Sequence, residues 1–124
     1  MAKIKVDTDV MESAWRFAGA VRPLFDCVGI YLFGSHAKGT PRNGSDIDLA
    51  VVVPHLDGIE ENPYILFDTE MRLWEIAHDI DNRIEPHFID NSLDCAGFIN
   101  TVLDTGIRLS KTGEAFFPGE DPAR

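Results

Sequence analysis

A chain of 124 residues fits one compact domain, 1–124, and its 44% apolar content, with eight Phe and two Trp, suffices for a core. Acidic residues outnumber basic ones, 21 to 11, for a net charge of −10 and a pI near 4.6. That disfavours a protein whose main task is gripping DNA or RNA, which needs clustered Lys and Arg, and favours handling an anionic substrate through metal ions or docking on a basic partner.

Two cysteines, Cys27 and Cys95, are too few for a disulfide scaffold and read as buried free thiols. No basic, apolar leader opens the chain, and no apolar run reaches membrane-spanning length. A soluble cytoplasmic protein is expected.

Asp7 to Phe25 reads as a first helix, because Val10, Ala14, Phe17 and Val21 fall on one helical face and Pro23 marks its end. Val28 to Phe33 is an apolar stretch with β-branched and aromatic residues, the pattern of a buried strand. Gly34 breaks it, Ser35 to Lys38 can form one helical turn, and Gly39 to Ser45 has loop chemistry. Asp46 to Val53 is a second strand. Alternation puts Asp46, Asp48, Ala50 and Val52 on one face and Ile47, Leu49, Val51 and Val53 on the other.

Pro54 ends that strand, and residues 55–63 form a polar, acidic loop. Tyr64 to Ile80 reads as a helix with Leu73, Ile76, Ala77 and Ile80 on its apolar face. Arg83 to Ile89 reads as a third strand, in which Glu85 and His87 face away from Ile84, Pro86 and Phe88. Pro86 cannot donate to a ladder, which predicts an edge or a bulge there. A fourth helix is expected from Leu93 to Thr105, with Cys95, Phe98, Ile99 and Val102 as its stripe and Gly106 as its C′ residue. Ile107 to Ser110 suits a short edge strand, and 111–124 a loose tail. The alternation of elements predicts an α/β or α+β domain with about four strands and four helices.

The chemistry concentrates in residues 30–53. Asp46 and Asp48, on one face of a strand start, can bind Mg²⁺, which prefers oxygen ligands. Two such ions can stabilise both ends of a phosphoryl displacement, with a third carboxylate normally needed for the ion that activates the nucleophile. Gly34 permits close approach of backbone to phosphate, the turn after it presents free N–H groups, and the Ser35 hydroxyl adds a donor. Lys38 and Arg42 lie in the same loop. His55 and His78 show no partner pattern, and no Cys/His spacing suggests zinc.

Gly34-Ser35-x-Ala37-Lys38-Gly39, followed by Ser45-Asp46-Ile47-Asp48-Leu49, resembles the polymerase-β-type nucleotidyltransferase superfamily, in particular its minimal members, which are similar to the antitoxin partners of HEPN-domain toxins. The resemblance is sharp over residues 28–53. It implies a mixed sheet with flanking helices, two Mg²⁺ ions, and an NTP, ATP foremost, as substrate. It also implies nucleotide contacts from Gly34, Ser35, Lys38, Arg42 and Ser45, and a third carboxylate on the strand after the long helix. Glu85 fits that place best, although Asp is commoner there in relatives; Asp81 and Asp90 are the alternatives. His36 stands where many relatives carry Arg, and Lys38 where Arg is common, which exchanges a bidentate fork for a point charge at 38.

The leading expectation is AMP transfer from ATP to a hydroxyl of a partner protein, in the role of antitoxin to a HEPN-type toxin. An antitoxin acting by contact alone, or transfer to a small molecule as in aminoglycoside nucleotidyltransferases, are the alternatives. The expected assembly is a homodimer or a hetero-oligomer, with no membrane and no nucleic-acid partner.

Overall fold

The computed structural model describes residues 5–25, 29–93 and 97–120; Cys27 and Cys95 lie outside these. Five strands form one mixed sheet in the order β3-β2-β1-β4-β5. They are β1 (Gly29–Phe33), β2 (Ile47–Val53), β3 (Ile84–Asp90), β4 (Ile107–Leu109) and β5 (Ala115–Phe116), and the helices are α1 (Thr8–Val21), α2 (Gly34–Lys38), α3 (Tyr64–Ile80) and α4 (Phe98–Thr105). β2 and β3 run parallel, while β1 is antiparallel to both β2 and β4.

The alternation read from the sequence sorts the two faces of the sheet. Ile47, Leu49, Val51 and Val53 of β2 join Ile30, Leu32 and Ile84 in the main core, under α1 and α3. Val10, Ala14, Phe17 and Val21 of α1 are all fully buried there. Ala50 and Val52 point the other way and meet Tyr31, Ile89 and Val102, so α4 covers the second face. The result is a sheet between helical layers. β3 is the edge strand that Pro86 predicts, since a ring without an N–H costs nothing on the unpaired side.

Four expectations change. The fourth helix begins at Phe98 rather than Leu93, because Gly97 takes φ +73°, a left-handed conformation no α-helix interior accommodates. Phe98 is partly exposed rather than buried in the stripe. Gly106 is extended, not left-handed. It is small because a Cβ would stand 2.5 Å from the Val102 carbonyl oxygen as the chain turns into β4. Finally, β4 is no edge: β5 forms a hairpin with it. Ser110 N–H donates to the Glu114 carbonyl, Glu114 N–H donates to the Ser110 hydroxyl, and Arg108 lies 4.9 Å over the Phe116 ring. So short a strand has no alternation of its own to read.

Candidate active site

The site forms where β2 and β3 begin and β1 ends. Strand register brings Phe33, Asp48 and Glu85 side by side across three strands, and sets His87 beside Ala50. Residues two apart on a strand share a face, so Glu85 and His87 both project toward the α4 side, as Asp48 does. Donor atoms of Asp48, Glu85 and His87 all lie within 4.8 Å of one another. His87 Nε2 is 3.2 Å from Asp48 Oδ1. Its ring meets Phe33 edge-on, with centroids 4.9 Å apart, and lies 6.2 Å from Phe98.

Burial pushes the Glu85 carboxyl above the ordinary range. A hydrogen bond with Asp46 and the charge of Asp48 add to this, and His87 opposes it. Three carboxylates crowded at one point repel one another, and a divalent cation among them removes that cost. Oxygen donors with an imidazole at this spacing fit such an ion, whose ligands stand about 2.1 Å from it.

Gly34 closes the site from the α2 side. Its φ is +75°, and a Cβ there would collide with Asp48 Oδ2. Glycine is required both by backbone conformation and by close approach to the carboxylate. Ser35 is half-buried in the first turn of α2, and Lys38 is exposed at its end.

Arg42 and Ser45 sit a step away. Arg42 N–H donates to Ser45 Oγ and Ser45 N–H to the Arg42 carbonyl, a self-closed turn. His36 is buried, with Nε2 3.5 Å from the Ser45 carbonyl oxygen. A cavity of about 270 Å³ beside this turn is lined by Asp7, His36, Arg42, Ser45 and Arg83, among others, and not by the three carboxylates.

The two alternatives for the third carboxylate are engaged elsewhere. Asp81 accepts from Arg83 and from the Ser13 hydroxyl. The Arg83 guanidinium holds its carboxyl far below the usual value, against the effect of burial. Asp90 is at the opposite end of β3, beside Val53. Burial works against its ionisation, but the Ser92 hydroxyl, the N–H groups of Leu56 and Ser92 and the nearby His55 outweigh it and lower its pKa. That cluster corrects the reading of His55 as unpartnered: its Nε2 is 2.8 Å from Glu60 and its Nδ1 2.8 Å from Ser92 Oγ. Its Ser92 arm has no local signal in the sequence, because Ser92 lies 37 residues away.

A mixed sheet thus aligns carboxylates from β2 and β3 beside a glycine turn, the arrangement that the motif predicts. The nucleotidyltransferase domain family matches residues 16–108, three quarters of the chain, and the protein belongs to that family. Family members usually act on an NTP with a divalent metal. The fold is similar to the crystal structure, at 1.40 Å, of a candidate nucleotidyltransferase from Sulfolobus solfataricus. That likeness has a TM-score of 0.52 at 23% identity and covers 92% of this chain and 97% of the other. No curated protein matches the sequence significantly. Among the described residues no helix is long and apolar enough to cross a membrane.

Proposed function

We propose that the protein is an Mg²⁺-dependent nucleotidyltransferase that passes AMP from ATP to a hydroxyl of a partner protein. The observation that carries this reading is the meeting of Asp48 and Glu85 beside Gly34, with Asp46 hydrogen-bonded to Glu85. When bound, Mg²⁺ neutralises charge on the phosphates and eases loss of the acceptor's proton. Asp46 and Asp48 hold metal, and Glu85 completes the site on the acceptor side. The Gly34 turn and the Ser35 hydroxyl hold the β,γ-phosphates, with Lys38, Arg42 and Ser45 flanking the triphosphate. The acceptor oxygen bonds to the α-phosphorus as the bond to pyrophosphate breaks, pyrophosphate departs with the bonding electron pair, and the hydroxyl proton passes to solvent water. Incubation with α-labelled ATP and a HEPN-domain partner tests this. Label should pass to the partner and fall at least ~100-fold with Asp46→Asn; intact transfer in that variant sinks the mechanism.

A second reading, an antitoxin acting by contact, is favoured by Tyr64, Phe67 and Met71. These form an exposed apolar stripe on α3 at i, i+3 and i+7. In that case an Asp46→Asn, Asp48→Asn double variant that stays folded still protects cells from the toxin.

A further inference from the structure

We propose that His87 ligates the cation of this site through Nε2, so that a first-row transition ion such as Mn²⁺ binds there in preference to Mg²⁺. The inference rests on the carboxylates being a metal site, as the nucleotidyltransferase reading requires. It adds a nitrogen donor to what the motif supplies as oxygen alone.

Geometry carries it. His87 Nε2, Asp48 and Glu85 present donor atoms within 4.8 Å of one another, so one ion can touch all three. Nε2 is the ring nitrogen aimed at the carboxylates, 3.2 Å from Asp48 Oδ1. The ring is held against Phe33, with an interplanar angle of 67°, and against Phe98 at 49°. Rings packed in this way lose little further rotamer freedom when the nitrogen binds. The strand register fixes the same arrangement from below, since Asp48 pairs with Glu85 and His87 follows two residues on.

Donor chemistry sets the preference. Mg²⁺ selects oxygen and gives up its water reluctantly. Imidazole suits first-row transition ions better, and their affinity for a mixed nitrogen and oxygen site follows the Irving–Williams order. Two carboxylates and one imidazole would leave further ligand positions to water and phosphate oxygens.

The test needs no turnover. Mn²⁺ is titrated into the purified chain without nucleotide, and bound ion is read from loss of the free six-line EPR spectrum. Pulsed EPR then reads ¹⁴N coupling to the bound ion. The wild type should show directly bonded ¹⁴N, and His87→Ala should lose it. Displacing half the Mn²⁺ should take at least ~10-fold more Mg²⁺ in the wild type, and that ratio should fall in His87→Asp, which offers only oxygen. Bound Mn²⁺ without ¹⁴N coupling in the wild type overturns the assignment and leaves His87 as a hydrogen-bond partner of Asp48. Failure of Mn²⁺ to bind at all overturns the metal site itself, and this inference with it.

Discussion

Gly34 and Glu85 carry opposite costs. At Gly34 any side chain meets both a positive φ and the Asp48 carboxylate. Gly34→Ala should destabilise the fold by at least ~1 kcal/mol, read from urea denaturation, and should weaken metal binding by displacing Asp48. Glu85 works the other way. Its folded pKa is raised, so its contribution to stability is full below the unfolded value of about 4.3 and is lost as pH rises through the folded one. The ionised carboxyl is therefore the form that the metal-free fold disfavours. Glu85→Gln should raise the metal-free melting temperature by a few degrees at pH 7 while shrinking the shift produced by added divalent cation. A lower melting temperature would show that Glu85 is structural. The proximity of Asp46 to Asp48 is legible in three consecutive residues. His87 is legible only as sharing a face with Glu85, because its contact with Asp48 spans 39 residues.

Among the elements, α1, α3 and β3 are joined by one polar tie. Ser13 of α1 donates to Asp81 at the end of α3, and Arg83 at the start of β3 holds both Asp81 and Asp9. The tie sits at the entry to β3, two residues before Glu85. Ser13 is buried, so Ser13→Ala should cost about 1–2 kcal/mol through a carboxylate that loses its neutral donor. The Asp81 pKa is depressed, so its stabilisation is present above the unfolded value of about 3.9 and is lost as pH falls below it. Urea denaturation from about pH 3 to 7 should show that acid limb in the wild type and a flatter one in Asp81→Asn. Helix α3 spans 64–80, as the periodicity predicts, because a local 3.6-residue repeat and Pro63 set its limits. Helix α4 differs because the left-handed Gly97 has no periodic signature, and β5 because two residues cannot display one.

At the scale of the molecule, a net charge of −10 and the Tyr64, Phe67 and Met71 stripe bear on association. The stripe shares α3 with Asp68, Glu70, Glu75 and Asp79 against Arg72, so it suits an apolar surface rimmed by basic residues. Phe67 is 62% exposed. Phe67→Glu should leave the melting temperature of the isolated protein within about 1 °C and, under the proposed reading that the partner is a HEPN-domain protein, weaken that association more than ~10-fold by calorimetry. Unchanged affinity would place the partner on another face.

The sequence by itself determined α3, the strands β1 to β3, the two faces of β2 and the Gly34-Ser35 and Asp46-x-Asp48 pairing. Each depends on residues a few positions apart, where backbone period alone decides direction. Tertiary structure decided that Glu85, rather than Asp81 or Asp90, meets Asp46 and Asp48, and that His87 joins them. That outcome rests on the parallel register of β2 and β3, and a register is set by how distant apolar faces pack against α1 and α3. A shift of one residue would turn Glu85 and His87 into the core, so the packing that buries Ile84 also builds the site.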